Sequence, residues 1–324
     1  MKVFLGVDVG SVSTNLVLIN NQCSAIQWIY RRTQGRPIEA VQQGLVDLES
    51  LIEEPVEITG VGTTGSARFL SGVVVGADIV KNEITAHAVA AQQLVPGVRT
   101  VLEIGGQDSK IIILRDGIVV DFAMNTVCAA GTGSFLDHQA ERLDLPIEEF
   151  GRVASKSNSP AHIAGRCTVF AESDMIHKQQ VGCSIEDITA GLCEALVRNY
   201  LNNLAKGRKL QEPIVFQGGV AANIGIKKAF EKAISSEVVV PRYHHVMGAI
   251  GAAILAKEKM DRQAYKSKFR GFEASGQEFR TSSFQCAGCT NTCEVVKIKT
   301  GRKLLACWGG RCGKWEEAAL KDRI

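Results

Sequence analysis

The 324-residue chain lacks any run of about 18 uncharged apolar residues, the length a helix needs to span a bilayer, so no membrane-crossing segment is expected. Its opening, MKVFLGVDVG, carries the short apolar run of a buried strand and lacks the hydrophobic stretch and cleavage site of a secretory leader, which points to the cytoplasm. A surplus of one charge is missing too, since 37 Lys and Arg stand against 34 Asp and Glu. Eight basic and four acidic residues fall between Cys286 and Ile324, leaving 29 against 30 elsewhere, so no nucleic-acid footprint is expected. The P-loop pattern GxxxxGK[ST] is also absent, which rules down the commonest ATP-binding turn.

What remains is a globular composition, 45% hydrophobic and 22% charged, in a chain long enough for two domains with a core each. In a reducing compartment its ten cysteines read as ligands, catalytic thiols or packing residues in preference to disulfides. Their spacing has to sort them.

A partial internal repeat gives the first functional signal. Val3 to Ile19 reads as the strand VFLGVDVG, the polar turn SVSTN and the strand LVLI, and Val101 to Leu114 repeats the plan as VLEIGG, QDSK and IIIL. Superposing Asp8 on Glu103 brings Gly10 onto Gly105, Ser11 onto Gly106 and Thr14 onto Ser109. Glycines let backbone N–H groups approach an oxyanion, hydroxyls add donors, and a carboxylate at the strand end can order the waters of Mg²⁺. Either turn alone reads equally well as an ordinary hairpin with Gly chosen for its φ. Two matched turns favour phosphate, and facing each other they would clamp a triphosphate. A third site, PIVFQGGVAANIGIKKAFE, reads as a strand, a Gly218-Gly219 turn and a helix beginning at Asn223, a nucleoside-binding pattern without the GxGxxG of a dinucleotide fold.

The run NTVCAAGTGSFLD sets Cys128 among small residues before a helix expected from about Ser134 to Pro146. A thiolate there would feel the positive end of that helix, which suits a negatively charged ligand or a cluster. Cys167 follows Gly165-Arg166, where a packing role is also less natural. From the residues alone, ligation and packing both remain open for these two. Cys193 lies in an apolar stripe on a helix capped by Ser184, and Cys23 and Cys183 have no partner spacing, so all three are assigned to packing. Glu83 and His87 stand four apart on a helix expected over 78–93 and read as a structural or solvated pair.

The order of two acidic-glycine hairpins and a later strand-Gly-Gly-helix resembles the actin, Hsp70 and sugar-kinase ATPase superfamily. More narrowly, DVGSVSTN, KNEITAHA, EIGGQDSK, NTVCAAGTGSFLD, GRCTVFAESD and FQGGVAAN resemble the activators of 2-hydroxyacyl-CoA dehydratases and the related benzoyl-CoA reductase ATPase subunits, over about residues 3–257. The resemblance implies an α/β fold of two ribonuclease-H-like domains and an ATPase that sends one low-potential electron to a partner dehydratase or reductase. It implies ATP/ADP with Mg²⁺, a [4Fe–4S] cluster held between the subunits of a homodimer by Cys128 and Cys167 of each, and reduced ferredoxin or flavodoxin as donor. On this reading Gly10, Ser11, Val12, Ser13, Thr14, Gly105, Gly106 and Gln107 contact phosphate or metal, and Gly218, Gly219 and Asn223 the nucleoside. Asp8 orders the metal's waters, Gln107 positions the attacking water, and Glu103 stands where the second turn usually carries Asp, a departure that alters the metal's water network.

Domain bounds are expected at 1–95 and 96–257, the last helix packing back on the first domain, then a charged linker over 258–285. A Cys-rich tail over 286–324 follows, with Cys286, Cys289, Cys293, Cys307 and Cys312 spaced C-x2-C-x3-C-x13-C-x4-C. So short a segment calls for a staple, and four of these thiolates suit Zn²⁺ or a second Fe–S cluster. Two other function classes stay open: a small-molecule (sugar) kinase of the same superfamily, and an ATP-binding regulator with a zinc tail.

Overall fold

The structure, a computed structural model, describes residues 1–125, 128–165, 167–262 and 265–316. In chain order it forms β1 (Lys2–Val9), β2 (Ser13–Ile19), β3 (Ala25–Arg32), α1 (Pro37–Ser50), β4 (Glu57–Thr64), α2 (Arg68–Val75), β5 (Ile79–Val80) and α3 (Glu83–Leu94). There follow β6 (Thr100–Ile104), β7 (Ser109–Arg115), β8 (Ile118–Asn125), α4 (Gly133–Arg142), α5 (Ile147–Ala154), α6 (Thr168–Gln180), α7 (Ile185–Tyr200), β9 (Ile214–Gln217), α8 (Ile224–Ile234), β10 (Val238–Val239) and α9 (Met247–Arg262). The chain ends in β11 (Arg280–Gln285), β12 (Glu294–Thr300) and β13 (Lys303–Trp308).

By packing the chain divides into two units, Met1–Ala86 with the chain from Gly248 onward, and His87–Met247. The repeat seen in the sequence is a repeat of topology. The first sheet runs β3-β2-β1-β4-β5 and the second β8-β7-β6-β9-β10, each with an antiparallel meander on one side of its central strand and parallel strands on the other. Register matches as well, with Asp8 facing Asn15 and Glu103 facing Lys110. This is the two-domain ribonuclease-H-like architecture that the sequence implied.

The central strands are apolar along both faces because helices cover both. In the first unit, Leu5, Val7, Leu16, Leu45 and Val74 build one core, while Gly6 and Gly62 let α9 lie with its backbone against the opposite face. In the second, Phe135, Phe150, Leu196, Tyr200, Phe216 and Phe230 fill the core, with Tyr200 and Phe216 both edge-on to Phe230.

Several local expectations shift. The helix expected over 78–93 begins only at Glu83, because Ile79 and Val80 are drawn into β5 beside β4. The helix after Cys128 ends at Arg142, and Pro146 sits at the start of a separate helix, α5. The charged stretch expected as a linker is anchored to the first unit. Asp78, buried, accepts hydrogen bonds from Val61 N (2.8 Å), Ser267 Oγ (2.6 Å) and Lys268 N (2.9 Å). Gln42 Nε2 donates to the carbonyls of Ala274 and Gln277, and Phe269 and Phe272 pack on the same core. The three-stranded sheet β11-β12-β13 joins that core through Ile298 and Leu305. Residues 317–324 of the expected tail lie outside the described residues.

Replacing Asp78 by Ala strands two backbone donors and one hydroxyl at a buried site. The expected cost is about 2–4 kcal/mol, together with new protease cleavage around Ser267, measured by limited proteolysis with mass spectrometry. A cleavage pattern identical to the parent's would contradict the anchoring role.

Candidate nucleotide turns and thiol site

In the first unit the turn between β1 and β2 is closed by Gly10 N donating to Ser13 O (2.8 Å), and Ser11, Val12 and Ser13 are partly or fully exposed on it. Thr14 behaves differently. Its side chain is buried, its hydroxyl pairs with Thr33 Oγ1 (2.9 Å), and Thr33 donates to Gly10 O (3.0 Å). Thr14 thus braces the turn from beneath, and its hydroxyl is withdrawn from the phosphate-contacting set expected from the sequence. Asp8 lies on the opposite face of β1, its carboxylate against Gly65 and Gly248.

In the second unit Gly105 N donates to Asp108 O (3.0 Å), which closes the matching turn with Gln107 exposed at its tip. Glu103 is buried and its carboxylate meets Lys110 Nζ at 3.0 Å; the same ammonium reaches Asp108 at 2.9 Å. A buried carboxylate is tolerable only with such a counter-charge, so Glu103 shapes the turn through Lys110 and is not open to a metal in the way expected. The carbonyls of this turn are also committed. Gly133 N donates to Gly105 O (2.9 Å), and Ser134 donates to Gly106 O through both N (2.8 Å) and Oγ (2.6 Å). A Cβ at Gly133 would come within 3.0 Å of Gly105 O and 3.1 Å of Val220, so glycine is needed for this approach.

The third turn closes on the same place. Gly218 has φ +94° and packs against Ile104 O, its N–H donates to His244 O (2.8 Å), and His244 Nδ1 lies 3.0 Å from Gly218 O. Gly219 is exposed, while Asn223 caps α8 by accepting from Ile226 N (3.1 Å) and is occupied with the helix. His87 is buried, its Nδ1 2.9 Å from Gln217 Nε2, a structural partner not foreseen for it. A GxGxxG run does occur, Gly60 to Gly65, but it lies along β4 and into the turn after it, where Gly62 makes room for α9. Its first two glycines lie inside the strand and α2 begins only at Arg68, so they do not form the strand-to-helix turn that a dinucleotide site requires.

The two thiols also differ from expectation. The first amides of α4 are taken by Gly105 and Gly106, so Cys128 does not sit at a free helix N-terminus; it precedes a 3₁₀ turn, Ala129–Gly131. Cys167 holds that place instead, as the N-cap residue of the 13-residue α6. Asn125 grips Cys128 from both sides, Nδ2 to Cys128 O (2.9 Å) and Cys128 N to Oδ1 (3.0 Å). Sequence reasoning missed Asn199, a buried residue on α7 whose Nδ2 donates to Gly165 O (2.9 Å) and toward Cys128 Sγ (3.7 Å). One amide thereby ties both thiol-bearing loops together. Its neighbour Tyr200 donates to Lys110 O (2.6 Å), and burial pushes the phenol's pKa up, so it stays a donor. The signal that could have found Asn199 is a polar residue inside the apolar stripe of α7.

Cys193 is buried, and burial pushes its thiol up, as a packing role requires. In the tail, Cys307 is buried and Cys286 packs beside it, while Cys289 and Cys312 are exposed and Cys293 is half-buried. The Trp315 indole and the Gly288 amide, which donates to Cys286 Sγ (3.4 Å), hold the Cys286 thiol below its ordinary value. Among the described residues no three His, Cys, Asp or Glu side chains converge at metal-binding spacing, and no helix is long and apolar enough to cross a membrane.

With the turns and thiols placed, comparison with known proteins identifies the lineage: residues 5–256 match the BadF/BadG/BcrA/BcrD ATPase family. The chain belongs to this family. It is 34% identical to the 2-hydroxyisocaproyl-CoA dehydratase activator of Clostridioides difficile over 255 residues, covering 78% of this chain and 94% of that one. It is 28% identical to a subunit of benzoyl-CoA reductase from Thauera aromatica, over 78% of this chain and 93% of that one. A solved structure of the Clostridium difficile activator with bound ADPNP superposes with a TM-score of 0.73 at 31% identity, covering 80% of this chain and 96% of that chain. The chain is therefore a member of an ATP-binding ATPase family with dehydratase activators among its relatives.

Asn199→Ala would leave Gly165 O and the Cys128 sulfur without this shared donor. The family member is expected to lose about 1–3 kcal/mol of stability and, metal-free, to be alkylated severalfold faster at Cys128, followed by time-resolved mass spectrometry. Unchanged labelling would count against the bridge.

Proposed function

We propose that this protein hydrolyses ATP to drive one-electron transfer through a thiolate-held iron–sulfur cluster to a partner dehydratase or reductase acting on CoA thioesters. The observation that carries the reading is the joining of Gly105 and Gly106 to the first residues of α4, because it fastens a phosphate-type turn to the segment that begins at Cys128.

Phosphates of ATP are the ligand assigned to the Gly10–Ser13 and Gly105–Asp108 turns, and the nucleoside to Gly218 and Gly219. Gln107, exposed at its turn tip, orients the attacking water. Buried side-chain oxygens without partners, Asn15 Oδ1, Thr64 Oγ1, Ser109 Oγ and Gln217 Oε1, stand beside these turns and fit a polar ligand. The soft thiols of Cys128 and Cys167 suit iron, but a chain supplies only two here, and a cubane needs four. A second copy related by a two-fold axis supplies the rest. Val169 and Phe170, exposed in the first turn of α6 beside Cys167, give that copy an apolar surface to cover. Bound there, a [4Fe–4S] cluster would supply low-potential one-electron transfer, replenished by reduced ferredoxin or flavodoxin.

Anaerobic purification with iron and sulfide analysis tests this directly. The expected result is a [4Fe–4S] cluster in the full chain, one per dimer, lost in Cys128→Ala and in Cys167→Ala while nucleotide binding persists. Iron-free protein that phosphorylates a sugar would overturn the proposal in favour of a kinase.

A further inference from the structure

Asp8 has two register neighbours in the first sheet, Asn15 on β2 and Thr64 on β4. Side chains in register share a face of a sheet. That face is the one turned to α9, since Gly62, two residues before Thr64, packs on Ala252 O, and Gly6, two residues before Asp8, packs on Ala249 O. Asn15 is 4% exposed and Thr64 0%, and neither Asn15 Oδ1 nor Thr64 Oγ1 has a hydrogen-bond partner. A buried polar atom left without a partner costs roughly 1–3 kcal/mol, and here two such atoms flank one carboxylate. The carboxylate itself is confined, because a Cβ at Gly248 would meet Asp8 Oδ2 at 2.1 Å and one at Gly65 would meet Oδ1 at 2.6 Å.

The two oxygens that flank Asp8, Asn15 Oδ1 and Thr64 Oγ1, call for donors. A hydrated divalent cation presents only donors, through its coordinated waters. The equivalent place in the second unit is already filled, as Lys110 occupies the register position of Asn15 and carries its ammonium to Glu103. A fixed monovalent cation thus stands there where the first unit leaves acceptors unsatisfied.

We propose that Asn15 and Thr64 are positioning residues for the divalent cation that accompanies the nucleotide, forming with Asp8 a cradle of three oxygens for the cation's bound waters. The inference rests on the nucleotide-binding reading above and assigns the metal's second shell to the first unit.

The test uses the full chain with ADP as probe, titrated calorimetrically in Mg²⁺ and in EDTA, and with Mn²⁺ in place of Mg²⁺ by electron paramagnetic resonance. In Thr64→Val and Asn15→Leu the gain in ADP affinity on adding Mg²⁺ should fall roughly tenfold, with EDTA affinity unchanged and Mn²⁺ binding weakened in parallel. Thr64→Ser, which keeps the oxygen, should retain the gain. Because the lost oxygens have no partner in the unliganded protein, the unfolding midpoint of Thr64→Val without ligand should be unchanged or raised. A midpoint lowered in both Thr64→Val and Asn15→Leu, or a Mg²⁺ gain left intact, would overturn the cradle alone. Parent protein that binds no ADP would overturn the nucleotide reading and the cradle with it.

Discussion

Two backbone hydrogen bonds, from Gly133 to Gly105 O and from Ser134 to Gly106 O, govern the second unit. A helix begins with donors that its own ladder cannot satisfy, and a tight turn exposes carbonyls that its hairpin cannot use. Here each defect answers the other. The turn is consequently rigid at its carbonyls and open at its tip, where Gln107 projects. Because α4 starts on that turn, the turn cannot shift without moving the helix or breaking these bonds. The chain from Cys128 to Gly131, immediately before the helix, is tied in the same way to Asn125 and Asn199, so a mechanical path between turn and thiol runs through a few named hydrogen bonds. A second path runs through α7, from Asn199 to Tyr200 and on to Lys110 O, at the strand beside the same turn.

The duplicated halves share register and differ in charge. In the second, Lys110 pairs with the buried Glu103, a pairing that desolvation makes obligatory, and also reaches Asp108, whose excess negative charge is partly exposed to water. In the first, Asp8 sits at the start of α9 with two uncommitted oxygens beside it. An ancestral repeat read from sequence would assign the two carboxylates one role, whereas their surroundings assign them different ones. The extra methylene of Glu103 has its physical account in this pairing, because it places the carboxylate within reach of an ammonium on the facing strand.

Much of this arrangement was legible in the sequence. Alternation of apolar runs with Gly-Ser turns located β1, β2, β6, β7 and β9, since local pattern dictates a hairpin, and the offset between Asp8 and Glu103 foretold identical register. The caps of α7 and α8, Ser184 and Asn223, were equally visible because capping is a local interaction. What stayed hidden depended on partners distant in the chain. Thr14 looked like a phosphate donor until Thr33 claimed it, and Cys128 looked like a helix-terminal thiol until Gly105 and Gly106 took the donors. Asn199 carried no motif, its meaning lying entirely in two loops that approach it from elsewhere.

The C-terminal sheet shows the same limit with a different consequence. A segment too short for a core of its own was expected to need a metal staple, and five cysteines offered one. Ile298 and Leu305 instead reach into the core of the first unit, and Asp78 and Gln42 hold the stretch leading to it. Folding free energy that a metal would have provided comes from a borrowed hydrophobic surface. The sheet thus has a hydrophobic anchor that does not depend on its five thiols. Cys307 packs in the small core with Val295, Phe284 and Trp315, and Cys289 and Cys312 face solvent. A metal drawing four of them together would have to pull Cys307 from that core or do without it, so the geometry sets the choice among the five against Cys307.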